Sequence, residues 1–433
     1  MSDKVVTRMP PSPTGLFHLG SARTALYNYL YAKQNDGRFI LRIEDTDKER
    51  SKKEYEENII ESLEWLKMPY EGFCRQSERT EIYKKYLQKL IDQKIAYISK
   101  EKPKEGEREE VIRFKNPNKK IKFNDLVLGE IEFDTTDLKD FIIAKDLNTP
   151  LYHLAVVVDD IEMGISHVIR GQDHISNTSR QILILEALGG TRPEYAHVPL
   201  ILGSDKSKLS KRHGALSVLE YREMGYLPEA LLNFLALIGW NPGGEQEIFT
   251  LAELIEKFDV HKIQKSGGVF NSEKLDWINK EHIKKLTPAE KEKNILENLP
   301  KDMQNPKLVP IIFERISKWG DIKDMVKRGE LDFFFKQPAF EKEKLVYKNV
   351  PPEKIVGNLK EAIKVLENLN ESEFHKENIK NVLMKLAEGL PERGGLLHPV
   401  RFALSGLDQS PDPFTITEIL GKDETISRLQ KAI

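Results

Sequence analysis

The sequence predicts an α/β fold: a parallel sheet with a strand-rich segment inserted into it, followed by a helical C-terminal part. Three observations predict it. Strand, helix, strand and helix patterns follow one another with short connections from residue 5 to residue 66. That pattern breaks near residue 77 and resumes near residue 151. After about residue 216 the apolar periodicity is mainly helical.

Each element has a local reason. Residues 5–9 read as a short buried strand, and the loop Pro10-Pro11-Ser12-Pro13-Thr14-Gly15 follows it. Leu19, Ala22, Leu26, Tyr29 and Leu30 then recur at helical spacing, with a stop near Gly37. Residues 39–43 read as a second strand. Ser51 with Glu54 predicts a capping box, opening a helix whose stripe is Tyr55, Ile59, Leu63 and Leu66 and which Pro69 closes. Residues 79–98 read as mostly helical, 100–124 as charged, and 122–143 as alternating antiparallel strands. The parallel pattern is expected to resume with strands at 151–158 and 167–169, a helix at 179–188 and a strand at 198–202. Residues 227–237, 251–258, 354–369 and 376–390 are candidate helices.

Composition narrows the function. A length of 433 residues suggests about three domains. A formal net charge of −2 excludes a bulk polycation but leaves room for a local basic patch. The lone Cys74 can form no internal disulfide and no zinc site of several thiolates. The longest apolar helical candidate, residues 230–240, is far short of the roughly 20 residues a membrane span needs. With no apolar secretory run at Met1-Ser2-Asp3-Lys4, the expected location is the cytoplasm and no membrane partner is expected.

Four constellations carry chemistry. In Pro11-Ser12-Pro13-Thr14-Gly15-Leu16-Phe17-His18-Leu19-Gly20-Ser21 a strand leads through a tight turn into a helix, whose N-terminal amides suit a phosphate. Gly15 and Gly20 permit close approach, and His18 and Ser21 share a face. An ordinary strand-to-helix loop reads the same way. Lys206-Ser207-Lys208-Leu209-Ser210-Lys211-Arg212-His213 sets four cations against Asp205 and can clamp polyphosphate charge, or can be a solvated basic loop. No Gly-x-x-x-x-Gly-Lys-Ser/Thr motif supplies another phosphate site. The cluster Arg42-Ile43-Glu44-Asp45-Thr46-Asp47 ends a strand in carboxylates that can meet an ammonium, cap a helix or hold Mg²⁺. Tyr152 to Asp160 and His167 to His174 place polar groups at expected strand ends, with Arg170 suited to a carboxylate. His153 and His174 stand at no zinc spacing and read as packed histidines.

These motifs resemble those of class I aminoacyl-tRNA synthetases. His18-Leu19-Gly20-Ser21 is similar to their "HIGH" signature and Lys208-Leu209-Ser210-Lys211-Arg212 to "KMSKS", in the same order with an insertion between. Thr7 to Gly15, Leu41 to Asp47, Arg75 to Arg79, Val156 to Asp160, Val168 to His174, Ala196 to Leu200, Gly267 to Asn271 and Pro399 to Gly406 resemble the bacterial glutamyl branch. The resemblance covers nearly the whole chain and is weakest at 99–120 and 300–390.

The resemblance implies a Rossmann-type catalytic domain at 1–76 and 152–215, an inserted α+β acceptor-end-binding domain at 77–151, a helical stem-contact domain at 216–290 and a helical anticodon-binding domain at 291–433. It implies activation of L-glutamate by ATP with Mg²⁺, usually only with tRNA bound. The glutamyl group then passes to the terminal adenosine of tRNA-Glu. Charging of tRNA-Gln as well stays open. His18, Lys208 and Lys211 are the implied catalytic residues. Ser12, Gly15, Gly20, Ser21, Asp173, Ile201, Leu209, Ser210 and Arg212 would complete the ATP site. Arg8, Met9, Pro10, Ser12, Glu44, Tyr152, Val156 and Arg170 would hold glutamate, with Glu44 on the ammonium and the two arginines on the side-chain carboxylate. The short segment 99–112 has no cysteines, so no structural zinc is expected. A monomer is expected. The alternatives are a non-catalytic tRNA-binding paralogue, or a glutaminyl or tRNA-modifying relative. The retained His18, Gly20, Lys208, Ser210 and Lys211 argue against the first, and about 140 helical residues after position 290 against a tRNA-modifying enzyme.

Overall fold

A computed structural model describes residues 4–100, 110–209 and 216–433. Ser210, Lys211 and Arg212 therefore lie outside the described residues. The chain divides into two compact units, residues 1–284 and 285–433.

The first unit begins with the parallel sheet. Strands β1 (Val6–Met9), β2 (Arg38–Ile43) and β3 (Gly72–Arg75) pair in parallel, joined by helices α1 (Leu19–Gln34) and α2 (Lys53–Trp65). Strand periodicity sorts the side chains. Met9, Phe39, Leu41 and Ile43 enter one core, whereas Val6 and Ile40 enter a second core on the opposite face. Helix α1 is buried almost all round and lies in the first core. Helix α2 begins at Lys53 with Lys52 as its N-cap and no side-chain cap bond, so the expected Ser51 capping box does not form. The chain enters the helix with the Lys52 amide bonded to Pro13 O (3.0 Å) instead.

The middle segment runs α3 (Thr80–Asp92), β4 (Ala96–Lys100), β5 (Glu110–Phe114), β6 (Lys120–Asp125), β7 (Gly129–Asp134), β8 (Phe141–Asp146) and β9 (Thr149–Pro150). Strands β4, β5, β8 and β9 form an antiparallel sheet. The antiparallel hairpin β6–β7 joins a different sheet, described next.

Residues 152–162 overturn an expectation. The stretch expected as a strand at 151–158 is helix α4 (Tyr152–Glu162). A continuous apolar run reads alike as a buried strand or a buried helix, and its β-branched valines mislead. Leu154, Ala155, Val157 and Val158 pack into the second core, while Tyr152, Val156 and Asp160 recur every four residues on another face. Strand β10 (His167–Gly171), helix α5 (Ile175–Leu188) and strand β11 (Glu194–Val198) follow, and the parallel pair β10–β11 extends through β6 to β7. The strand expected over 198–202 is broken: β11 ends at Val198, and β12 (Ile201–Leu202) pairs with β13 (Gly268–Val269). Helices α6 (Val218–Glu223), α7 (Pro228–Leu237), α8 (Leu251–Lys257) and α9 (Ser272–Lys284) complete the unit.

The second unit is helical: α10 (Pro288–Glu297), α11 (Val309–Arg315), α12 (Gly320–Lys327), α13 (Pro352–Glu367), α14 (Lys376–Glu388), α15 (Gly394–Ser405), α16 (Pro413–Leu420) and α17 (Lys422–Ala432). Leu359, Leu366, Leu383, Leu396, Val400 and Leu404 lie in its own core. Among the described residues no helix is long and apolar enough to cross a membrane.

The turn from α1 into β2 needs a glycine for space. A Cβ on Gly37 would lie 2.1 Å from Val5 O, a backbone atom that cannot swing away. Gly37→Ala is expected to cost about 1–3 kcal/mol of stability, by the strain usual for overpacking, and to lower the unfolding midpoint in a thermal melt.

Candidate active site

A cleft of about 1690 Å³ opens beyond the ends of β1, β2 and β10. Such a place is where open α/β sheets bind ligands. Its apolar-strand floor carries buried charge. Arg42, on the same face of β2 as Ile40, is fully buried and donates to Glu44 Oε1 from Nη2 (3.0 Å) and to Asp160 Oδ1 from Nη1 (2.7 Å). Arg8 of β1 donates from Nε to the same Asp160 oxygen (3.3 Å), and its Nη1 is buried without a hydrogen-bond partner among the described residues. Asp160 is held below the usual carboxylate range: burial pushes it up, and Arg8 and Arg42 together outweigh that push. Glu44 is pushed up to about 7, chiefly by burial, against the pull of Arg42 and Arg8.

The other end of the cleft is built for anions. His18 is the N-cap of α1 and its Nδ1 accepts from the Ser21 amide (3.2 Å). A neutral imidazole that accepts at Nδ1 carries its proton on Nε2, here 3.4 Å from Ser21 Oγ. Desolvation against the cleft wall, then the Lys208 ammonium, lower its pKa, while Asp173 raises it, so the ring is a neutral donor near pH 7. A Cβ on Gly20 would come within 3.1 Å of the His18 ring, so the glycine leaves space for the imidazole itself. Across the cleft Lys208 Nζ stands 3.7 Å from Asp173 Oδ2. The loop bearing Lys208 is tied at its base, where Leu209 N donates to Ile201 O (2.9 Å) and Gly203 N to Ser207 O (2.9 Å). The loop before α1 is pinned too: Glu44 N donates to Pro11 O (3.0 Å) and Phe17 N to Asn58 Oδ1 (2.8 Å).

The sequence-derived residues converge on this one cleft. Arg8, Met9, Pro10, Ser12, Gly15, His18, Gly20, Ser21, Glu44, Tyr152, Val156, Arg170, Asp173, Ile201, Lys208 and Leu209 all line it. Tyr152 and Val156 do so from a helix rather than from a strand end. Among the described residues no group of three or more His, Cys, Asp or Glu is arranged to hold a metal ion.

With that geometry in view, comparison with known proteins decides the family. The family described as "tRNA synthetases class I (E and Q), catalytic domain" matches residues 4–109 and 100–277, and "Anticodon binding domain" matches residues 250–433. Glutamate–tRNA ligase 1 of Alkalilimnicola ehrlichii is 40% identical over 465 residues, covering 99% of this chain and 98% of that protein. The chain belongs to the glutamate–tRNA ligase family. A glutamate tRNA ligase of Elizabethkingia meningosepticum, solved in complex with its amino acid, superposes with a TM-score of 0.87 at 34% identity, covering 99% of both chains. The glutamate-tRNA synthetase of Elizabethkingia anophelis superposes at 0.85 with 33% identity over the full length of both.

Within this ligase fold the side-chain partners in and behind the cleft are what the sequence did not show. His174 lines the cleft, with Nδ1 3.3 Å from the Tyr152 hydroxyl. His153 is pushed down to about 4, first by burial and then by Arg180 and Arg170, so it is neutral. Arg170 is buried and donates to His197 Nε2 from Nε (3.1 Å), to Gln181 Oε1 from Nη1 (2.7 Å) and to Thr178 Oγ1 from Nη2 (2.7 Å). Asp159 is fully buried, taking bonds from Arg79 Nε (2.7 Å), Gln76 Nε2 (2.9 Å) and the Tyr83 hydroxyl (2.9 Å). The signal for Arg42 and Glu44 was present: in Ile40, Arg42 and Glu44 every second residue of a buried strand faces one side.

The Glu44 carboxyl supplies a direct check. Infrared difference spectra of the ligand-free protein are expected to show a protonated-carboxyl C=O band that disappears as the pH rises through about 7. That band is expected to be missing from Glu44→Gln.

Proposed function

We propose that the cleft forms glutamyl-adenylate from L-glutamate and MgATP, and that the chain passes the glutamyl group to the 2′-hydroxyl of the terminal adenosine of tRNA-Glu, where the new ester forms as the acyl–phosphate bond breaks, AMP leaves with its electron pair and the hydroxyl proton is released. One observation supports this most. A single cleft holds a helix N-terminus with a neutral imidazole and a facing ammonium at one end, and buried Arg8, Glu44 and Arg170 at the other.

The first step joins an α-carboxylate oxygen of glutamate to the α-phosphorus of ATP. The bond from that phosphorus to the bridging oxygen breaks, and pyrophosphate leaves with the electron pair; Mg²⁺ brought with the ATP would offset the charge on the phosphates. Glu44 takes the glutamate ammonium. Arg8, through its unpartnered Nη1, and Arg170 take the side-chain carboxylate. Ser12, Met9, Pro10, Tyr152 and Val156 shape the amino-acid pocket. The backbone near Ile201 meets the adenine. Gly15, Gly20, Ser21 and Asp173 line the nucleotide's path, and His18 Nε2–H with Lys208 stabilises charge on the phosphoryl oxygens. Leu209, Ser210, Lys211 and Arg212 complete the phosphate loop in this reading. A glutamine side chain would leave the buried guanidinia poorly paired, which is the physical source of amino-acid choice.

The remaining assignments belong to the same reading. Residues 77–151 meet the acceptor end, 216–290 the stem and 291–433 the anticodon. The protein acts as a cytoplasmic monomer without structural zinc.

With tRNA present, His18→Ala is expected to lower glutamate-dependent ATP–pyrophosphate exchange about 10²–10³-fold, as loss of one oxyanion donor does, and Lys211→Ala to abolish it. Filter binding of tRNA is expected to stay unchanged in both. Exchange at the wild-type rate in either variant contradicts the proposal.

Glutamate binding is also expected to depend on pH with a defined sign. An ammonium beside Glu44 favours the carboxylate, so a carboxyl that titrates at about 7 when the site is empty must shed its proton on binding. Apparent affinity therefore weakens, by about tenfold per unit, as the pH falls below about 7. Calorimetry in buffers of different ionisation enthalpy checks the proton release.

A further inference from the structure

Three adjacent strands carry a line of polar side chains that ends at the cleft. Strand β6 of the middle segment contributes Asp125, β11 contributes His197, and β10 contributes Arg170. The register sets Arg170 beside His197, and Tyr195 beside Asp125. Asp125 is 1% exposed and His197 0%. Their contact is short: Asp125 Oδ2 lies 2.6 Å from His197 Nδ1. On the far side of the ring, Arg170 Nε donates to Nε2 (3.1 Å), and Thr178 Oγ1 stands 3.1 Å from the same nitrogen.

We propose that Asp125 is a positioning residue for Arg170: it keeps the His197 proton on Nδ1, so that Nε2 accepts from Arg170 Nε and turns the guanidinium fork toward the cleft. The inference rests on the reading that Arg170 holds the glutamate side-chain carboxylate.

The chemistry leaves little choice of tautomer. Arg170 Nε–H is always a donor, so Nε2 must offer a lone pair. The neutral ring then has to carry its proton on Nδ1, where a carboxylate is the partner that accepts it. Burial lowers the His197 pKa, with Arg170 lowering it further against Asp125, which keeps the ring neutral. With Nε fixed by His197, and Nη1 and Nη2 each fixed once by Gln181 and Thr178, the guanidinium cannot rotate. Its remaining N–H groups serve a ligand carboxylate as a preset fork.

Asp125 has a second duty that an ideal variant preserves. Its Oδ1 accepts from the amides of Val127 (3.0 Å) and Leu128 (2.9 Å), which holds the turn into β7, and the His197 amide is shared between Oδ1 (3.2 Å) and Oδ2 (3.1 Å). An asparagine keeps Oδ1 on those three amides, gives up the second bond from the His197 amide to Oδ2, and turns its NH₂ toward His197 Nδ1. That donor forces the proton to Nε2, where it opposes Arg170 Nε–H. Asp125→Asn therefore retains the turn and inverts the tautomer.

The test uses the full chain with MgATP and tRNA present. Asp125→Asn is expected to raise the KM for glutamate by about tenfold or more, the scale seen when a second partner behind a ligating side chain is lost, and to leave the KM for ATP and kcat at saturating glutamate within about twofold. Imidazole ¹⁵N spectra are expected to report His197 protonated on Nδ1 in the wild type and on Nε2 in the variant. In a second pair, His197→Gln keeps an acceptor near the Nε2 position and His197→Phe does not. Only the phenylalanine variant is expected to raise the glutamate KM, so the inference stays testable should Asp125→Asn fail to fold. An unchanged glutamate KM in Asp125→Asn, an unchanged tautomer, or equal effects of His197→Gln and His197→Phe overturns the inference. Arg170→Lys separates the two claims. If it raises the glutamate KM while Asp125→Asn does not, the positioning role fails and the Arg170 reading stands. If it leaves the glutamate KM unchanged, the Arg170 reading fails and the inference with it.

Discussion

Arg42 is a permanent charge with no exposed surface, and it holds the catalytic half of the first unit together. An isolated guanidinium in that place would be prohibitive, so it must be surrounded by carboxylates in good geometry. Glu44 directly follows the same strand, and Asp159 and Asp160 come from α4, more than a hundred residues later in the chain. Arg8 shares the Asp160 oxygen that Arg42 binds, and Arg79, Gln76 and Tyr83 satisfy Asp159. The first strand, the second strand, the start of the middle segment and the helix that ends it are thereby fixed against one another.

That arrangement also prepares a binding site. Each charge in the cluster has a structural partner, yet Arg8 keeps an unpartnered nitrogen and burial raises Glu44 toward neutrality. The site thus holds groups that a zwitterionic ligand with an extra carboxylate would satisfy. At the phosphate end less is buried. Under the proposed function a helix N-terminus, an imidazole held by its own cap bond and an ammonium on a tied loop suffice there, because the partner charge would arrive with the nucleotide. Under that function the two ends differ as their ligands would: buried and selective for the amino acid, open and cationic for the triphosphate.

Much of this was legible in the sequence because it is local. The strand, the Pro-Ser-Pro-Thr-Gly turn and His18 at the next helix start lie within about fifteen consecutive residues, and the cationic loop is contiguous. What was not legible depends on partners remote in the chain. The valine-rich run at 156–158 gives the same signal whether strand or helix, and only the carboxylates it must deliver to Arg8 and Arg42 distinguish them. Asp125 looked like one more polar residue in an alternating hairpin, because its meaning lies in His197 and Arg170 on neighbouring strands. Ser51 had the capping signature, but backbone bonding of Lys52 to Pro13 sets the helix start one residue later.

The measurement that bears most directly on the account is glutamate charging by the purified chain with MgATP, on separate tRNA-Glu and tRNA-Gln transcripts. The account predicts a glutamyl ester on the terminal adenosine of tRNA-Glu, and no product when glutamine replaces glutamate. Charging of tRNA-Gln in addition would mark a non-discriminating enzyme and leave the mechanism as described. Binding of tRNA-Glu without charging would contradict the account and make the chain a tRNA-binding paralogue whose cleft does no chemistry.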